Sequence, residues 1–582
     1  MKTPLFFRNS RKTKSTTLLV LFFCLHLQTF AQGPFVWQNI FNRPGPSGYS
    51  QNVASTDIAY TENGSAIVGG TAPDSLGGSY GETDGCLLKY SPSGTLLNTY
   101  YYDYANTHGF DKVVKVITKG PYVYALIDGV YNATSAADHD IVLVKLDTSL
   151  NYIGATYYNG IGNVNDVPVD MGMDMYDNIY VLGNTSTVAT GSDIILIKFN
   201  SSFATLFTKS FSSTGIATDV AKAMKVEPNG VCDITGSAYS TTLGNRLVVL
   251  KYWGNGISLW TRYHDANLSA ASDDYGTALS YDGVTGDIYV TGRGFYGTNY
   301  DWVVAKFNGI DGTKAWSKRF SGVDNNDDWG IDISYFNSGA LYVTGNFKST
   351  VSSVNLPSIV LKKLLPSDGS SIWSKTYTGV ATTSSTSSLG AYVSSLLVTP
   401  NENIYVIGTT GIQTPSYNEA NHLVLKYTSA GVLSWSDLRS SGSVSGFQSF
   451  KGVKATYIPS SQTLYVAGTM SIGMSFYGSM TIMKYAPTSI VSSHLESRVN
   501  QFTSDLDLNL YPNPCVNTIN LSSSNISELT SLEIVDLTGK VVFASDKLTL
   551  PISIPTDQLT TGLYHLIMNN NGTLVSKKFL KE

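Results

Sequence analysis

A strand-like run of the form Tyr-Val-x-Gly recurs along most of this chain, and no other feature restricts its fold as much. Clear copies are Ile179-Tyr-Val-Leu-Gly183, Ile288-Tyr-Val-Thr-Gly292, Leu341-Tyr-Val-Thr-Gly345, Ile404-Tyr-Val-Ile-Gly408 and Leu464-Tyr-Val-Ala-Gly468. Weaker ones are Ala66-Ile-Val-Gly69, Val123-Tyr-Ala-Leu126 and Val231-Cys-Asp-Ile-Thr-Gly236. Each is followed by an apolar run ending in lysine, at Lys89, Lys145, Lys198, Lys251, Lys306, Lys362, Lys426 and Lys484. Successive lysines are 56, 53, 53, 55, 56, 64 and 58 residues apart. A period of this size, built of short strands alone, is the mark of radially repeated sheets, a propeller.

Each unit also holds a strand ahead of the Tyr-Val run, such as Gly276-Thr-Ala-Leu-Ser-Tyr281, and a Trp-containing strand after the lysine, such as Ala315-Trp-Ser-Lys-Arg-Phe320. Four strands make a sheet that cannot bury both faces alone, so each must hide its apolar faces against two neighbours. The last unit lacks its Trp strand. Phe35-Val-Trp-Gln-Asn-Ile-Phe41 has the right character to supply it. The expectation is an all-β, eight-bladed propeller closed by an N-terminal strand, which removes an open sheet edge.

The 582 residues are 14% charged with a formal net charge of -5 and no basic stripe, which argues against nucleic acid as a partner. Residues 1–31 read as a signal peptide: Lys2, Arg8, Arg11, Lys12 and Lys14 precede an apolar run from Leu18 to Leu25, and Thr29-Phe-Ala31 offers a cleavage site. The apolar run is short for a bilayer, and the mature chain is expected to carry no transmembrane segment. Residues 32–487 form the propeller, 488–506 a polar linker, and 507–582 a small β-sandwich whose strands alternate with Gly turns. Cys86 and Cys232 fall about half a ring apart, too far for a disulfide, and Cys515 stands alone in the tail.

The repeating unit resembles the SBBP family of β-propeller repeats, in the elements Asp328, Tyr342-Val-Thr-Gly345, Lys362 and Trp373. The tail resembles the type A sorting domain of the type IX secretion system of Bacteroidetes. The matching residues are Tyr511-Pro512-Asn513-Pro514, Gly539 in Asp536-Leu-Thr-Gly539, Gly562 and Tyr564 in Leu559-Thr-Thr-Gly-Leu-Tyr564, and Lys581 in the terminal Lys577-Lys-Phe-Leu-Lys-Glu582. That resemblance implies passage across the outer membrane through the type IX machinery, removal of the tail, and release or attachment at the cell surface. The Gly and Trp spacing of Gly312 to Trp316 also resembles the tryptophan-docking repeat of eight-bladed quinoprotein dehydrogenases. No adjacent cysteine pair or calcium ligand set accompanies it, so it speaks for blade number and not for a cofactor; none is expected.

The candidate binding residues are Asp273, Asp274 and Tyr275, with Asp327, Asp328 and Trp329 at equivalent places one unit later. They precede inner strands and are expected on one face of the ring, with Asp57, Asp111, Asp166 and Asp219 as further members. The functional reading is a polar mouth with Tyr275 and Trp329 as stacking platforms for sugar rings. The structural reading is that each Asp accepts backbone hydrogen bonds within its own turn, and recurrence around the ring favours it, because catalysis singles out one or two units. No catalytic or metal-binding residue is assigned. The sequence thus points to a secreted or cell-surface binding or scaffold module for a glycan or a protein. The alternative is a secreted glycoside hydrolase or lyase using axial carboxylates.

Overall fold

The structure is a computed structural model. It describes residues 34–41, 53–73, 83–103, 109–130, 139–160, 165–187, 191–213, 217–266, 272–336, 339–351, 354–379, 387–413, 418–439, 448–472, 477–486, 508–523, 527–535, 541–570 and 573–582. The signal-peptide segment, the linker and Gly539 lie outside these. Among the described residues every regular element is a strand, and no helix is long and apolar enough to cross a membrane.

Antiparallel four-strand units follow one another from Ala54 onward in a propeller-like succession; two carry a short parallel fifth strand, and the last two are joined by a short parallel pairing into one eight-stranded sheet. One sheet joins Tyr275–Tyr281, Ile288–Phe295, Tyr300–Phe307 and Lys314–Phe320 in chain order. Its second and third strands are buried on both faces, as their unbroken apolar runs require, whereas the outer strand alternates exposed and half-buried residues. Cores are shared between successive sheets: Tyr124, Leu126 and Ile141 pack with Met171, Ile179 and Val181 of the following one. Inner strands carry a bulge near their start, as between Gly276 and Ala278 or Gly330 and Asp332, which tightens the local twist.

The N-terminal strand Phe35–Phe41 pairs antiparallel with Tyr477–Tyr485, so the sheet holding the final repeat takes its outer strand from the start of the chain. The first and last sheets also meet: Val53, Ile58 and Val68 share a core with Tyr465, Ala467 and Ile482. Ser55 donates its hydroxyl to Gly468 O at 2.7 Å and its amide to Thr469 Oγ1 at 2.9 Å.

Register corrects one sequence assignment. Tyr124, Tyr180, Tyr289, Tyr405 and Tyr465 each lie opposite the repeated lysine of the next strand. In the sixth unit the residue opposite Tyr342 is Lys363, not Lys362. The two lysines are adjacent, and the pleat sends them to opposite faces.

The tail forms a three-stranded sheet (Leu508–Tyr511, Thr518–Ser523, Ile552–Pro555) and a four-stranded one (Glu528–Val535, Val541–Thr549, Gly562–Asn570, Thr573–Lys581). Ile519, Leu521 and Ile554 of the first pack with Leu532, Ile534, Leu566 and Phe579 of the second. Cys86, Cys232 and Cys515 are buried free thiols.

Candidate functional site

The two ends of each sheet differ in what they present. One end carries the connections into the inner strands and the turns between second and third strands; the candidate residues sit there. Asp274 is almost wholly buried, its Oδ2 accepting Ala266 N at 2.7 Å and its Oδ1 accepting Phe295 N at 2.6 Å. Asp328 repeats this, accepting Gly322 N at 2.5 Å and Lys348 N at 2.8 Å. Asp219 accepts Ser213 N and Tyr239 N at 2.6 and 2.9 Å, Asp111 accepts Val130 N at 2.8 Å, and Asp166 accepts Gly160 N. Each carboxylate joins the arriving connection, the neighbouring turn, or both. Burial pushes Asp274 and Asp328 up to about 6 against the opposing pull of these amides.

Asp57 does not belong to this series. It lies beyond the bulge, opposite Gly69, whereas Asp274 and Asp328 stand just ahead of their inner strands. Its Oδ2 instead accepts Val116 N of the next sheet at 2.9 Å. Asp170 and Asp332 share its register and do likewise, accepting Met224 N at 3.1 Å and Leu396 N at 2.9 Å.

The residues flanking the buried carboxylates converge on a group that sequence reading missed. The Arg293 guanidinium lies 4.4 Å from the Tyr275 ring centre and 4.2 Å from that of Tyr300, and its Nη2 is 2.5 Å from Asp273 Oδ2. Asn245 holds the other oxygen of Asp273 at 2.9 Å. Asp327 Oδ1 accepts Tyr300 N at 3.0 Å, which brings the second Asp pair to the same cluster. Two similar groups lie nearby: Arg319 over Tyr296 at 4.2 Å, paired with Asp301, and Arg246 over Tyr263 at 3.7 Å, beside Asp265 at 3.8 Å. Trp329, half-buried, opens its inner strand opposite Asn346. The arrangement offers flat ring surface, fixed guanidinium donors and carboxylate acceptors together. Arg293 escaped the sequence reading because it follows the Tyr-Val-Thr-Gly run at a place where other units carry Asn184, Asn346 or Thr409.

A second charged group gathers where the inner strands approach one another. Lys115 Nζ is 3.3 Å from Asp170 and Lys454 Nζ is 3.9 Å from Asp332. Asp170, with Asp57 adding, holds the Lys115 ammonium well above its ordinary range despite burial. Burial raises Asp170, but Lys115, Lys225 and two backbone amides outweigh it and leave the carboxyl below its usual range. Lys225 is lowered, by burial first and then by Lys115 and Lys454.

In the tail, Asn513 Oδ1 accepts Leu580 N at 2.8 Å, Cys515 N donates to Leu580 O and Glu582 N to Cys515 O, so the Tyr511–Pro514 segment is tied to the last strand. Tyr564 stacks on Phe579 at 5.6 Å and donates to Thr560 O; Gly562 pairs with the buried Lys581.

These features define an all-β protein of propeller-like sheets with a separate all-β tail. Residues 509–582 match the family described as secretion system C-terminal sorting domain, and the chain therefore ends in a sorting domain, which implies secretion to the cell surface or outside. Comparison with curated proteins gives no match. Among solved structures, the chain is similar to BamB from Moraxella catarrhalis (8% identity, TM-score 0.31, covering 72% of this chain and 98% of that one). It is also similar to Chaetomium thermophilum Sqt1 bound to the N-terminus of ribosomal protein L10 (10%, 0.45, 78% and 100%), and to the WD40 domain of SCAP from fission yeast (10%, 0.37, 78% and 99%).

Proposed function

We propose that this chain is an eight-bladed β-propeller of the SBBP kind, exported by the type IX system through a C-terminal β-sandwich, and that it acts as a binding or scaffold module at or beyond the cell surface. The domain limits are those read from the sequence, with a signal peptide over residues 1–31 and a linker at 488–506. The tail match supports the route; a glycan or surface protein is the ligand class. The observation that carries the reading is Arg293, held between Tyr275 and Tyr300 and paired to Asp273. That cluster combines stacking surface with donors and acceptors for hydroxyl groups. The hydrolase or lyase alternative needs a carboxylate free to act on substrate. Asp274 and Asp328, with pKa values raised to about 6, suit a general acid on that count alone. Both have their oxygens committed to backbone amides and are buried, which weighs for binding.

The test is a screen of the protein against glycans and isolated surface proteins, repeated with Arg293→Ala and Tyr275→Ala. A ligand whose affinity drops about tenfold or more in both variants supports the reading. Ligands found but indifferent to both substitutions would remove the cluster from the site. Hydrolysis of a bound glycan, abolished in Asp328→Asn, would replace the binding reading with the enzymatic one.

A further inference from the structure

The opposite end of the sheets carries the hairpins between third and outer strands, and these build the seams between neighbours. Outer-strand Trp residues lie directly across from the repeated lysine: Trp37 from Lys484, Trp260 from Lys251, Trp316 from Lys306, Trp373 from Lys363 and Trp435 from Lys426. In four of these five the indole N–H donates to a carbonyl in the next sheet's hairpin: Pro92 O at 3.1 Å, Gly309 O at 3.3 Å, Pro366 O at 3.0 Å and Ser429 O at 3.1 Å. Twice the lysine shares that acceptor, Lys484 on Pro92 O at 2.7 Å and Lys363 on Ser429 O at 3.2 Å. A hairpin glycine then lies against the Trp ring, as Gly94, Gly312, Gly369 and Gly431 do.

The fifth pair faces a sheet built differently. Because its outer strand comes from the other end of the chain, the sheet after Trp435 has no hairpin joining its third strand to its outer strand. Ala486 N donates to Pro34 O at 3.1 Å, the bond that closes a hairpin elsewhere, as Thr428 N to Val432 O does at 2.9 Å. Between these two chain positions and Trp435 lies a cavity of about 30 Å³, lined by Tyr405, Lys426, Trp435, Tyr457, Gln462 and Tyr485 among others. Among the described residues, neither the Trp435 indole N–H nor the Lys426 ammonium has a hydrogen-bond acceptor; the ammonium stands 5.6 Å from the Tyr405 ring centre, and burial lowers its pKa. The Trp435 ring stacks on Tyr485 at 5.5 Å.

We propose that this cavity is a binding site for a glycine-containing polypeptide turn supplied by a partner protein, whose backbone carbonyl is taken by Trp435 and Lys426 as Pro92 and Ser429 are taken elsewhere. The molecule itself displays the complement in Ser91-Pro-Ser-Gly94, Leu365-Pro-Ser-Asp-Gly369 and Thr428-Ser-Ala-Gly431. At about 30 Å³ the cavity takes a group of the size of a carbonyl, and the two donors among its lining residues, Trp435 and Lys426, call for an oxygen acceptor. It lies at the end opposite Arg293, so it stands apart from the site proposed above.

The probe is a cyclised peptide spanning Tyr90 to Leu96, titrated into the full chain and followed by saturation-transfer NMR. Binding is expected through the Pro and Gly protons. Trp435→Phe, which keeps the ring and removes the donor, and Lys426→Met should each weaken it about fivefold or more. Trp373→Phe, in a seam already filled, and Arg293→Ala should leave it unchanged. No transfer at millimolar peptide would overturn the proposal and leave water as the occupant. Equal affinity in the wild type, Trp435→Phe and Lys426→Met, or an equal loss in Trp373→Phe, would also overturn it.

Discussion

Single residues carry both the regularity of the array and its departures. Trp302 donates its indole N–H to Thr291 Oγ1 at 2.6 Å, beneath Gly330; a Cβ at that glycine would come within 2.1 Å of the same oxygen. His422 occupies the place of Trp302 two sheets on, opposite Thr409 as Trp302 is opposite Arg293. It is fully buried against Phe450, and among the described residues neither ring nitrogen has a hydrogen-bond partner. Burial, with Arg439 adding, pushes it down to about 3. The folded state therefore refuses a proton that the unfolded chain accepts near pH 6.5, so stability attributable to His422 is lost as pH falls below that value and continues to fall to about pH 3. Asp274 and Asp328, raised to about 6, act oppositely: their contribution is present below the unfolded value of 3.8 and lost as pH rises through 6. The His422 effect is isolated by subtraction. His422→Phe should gain on the wild type by about 1.4 kcal/mol per pH unit between pH 6 and 4 in urea unfolding; a difference flat across that range would refute it. None of this was legible in the sequence, where seven scattered histidines gave no pattern. Arg293 was hidden for the same reason, since a residue peculiar to one repeat leaves no periodic trace.

Strands were the most legible level, because alternation and the Gly turns fix where each begins. The slip from Lys362 to Lys363 marks the limit: two adjacent lysines satisfy one motif, and only the tyrosine across the ladder decides between them. The closing strand Phe35–Phe41 was readable because its Trp stands where an outer strand needs one. Trp37 packs 5.9 Å from Tyr465 and 6.4 Å from Tyr90, and its N–H reaches Pro92 O, so one side chain touches both sheets that the closure joins. Trp37→Ala should destabilise the protein by about 2 to 4 kcal/mol, near the lower end for a buried Trp because the ring is half-buried. Trp37→Phe, which loses only the hydrogen bond, should cost about 1 kcal/mol. Chemical denaturation of both variants decides the matter; an alanine variant within about 0.5 kcal/mol of wild type would mean that the strand is a passive cover. In the tail the same legibility held for strands, and the consequence lies in export. Removing residues 509–582 should leave the protein in the cells and out of the medium and cell surface on fractionation. Unchanged secretion of the truncated chain would dissociate the tail from sorting.

At the scale of the molecule, the period gave the array but not what lies at its centre. Counting by twos along an inner strand fails at the bulge, so Asp57, Asp170 and Asp332 could not be aligned with one another before the register was known. Once aligned, they form a pattern: each bridges to a backbone amide of the next sheet, with Lys115 and Lys454 beside them. The bridge is possible because the inner strand pairs on one side only, which leaves an amide such as Met224 N facing the carboxylate of the preceding sheet. A charge lattice of this kind stabilises only while it stays paired, because an isolated carboxylate there has lost water without recovering a counter-charge. Lys115→Met tests it. At pH 7 the variant should be less stable by about 1 to 3 kcal/mol, discounted from a fully buried pair because the Lys115 and Asp170 side chains are 30% and 18% exposed. In the wild type the lowered pKa of Asp170 means that its stabilisation is present above the unfolded carboxyl value and lost as pH falls through the folded one. The penalty of Lys115→Met should accordingly shrink once Asp170 protonates in the variant, and be small near pH 3.5. A penalty equal at both pH values would assign the loss to the packing of the lysine stem, and the centre of the ring would then be held by shape instead of charge.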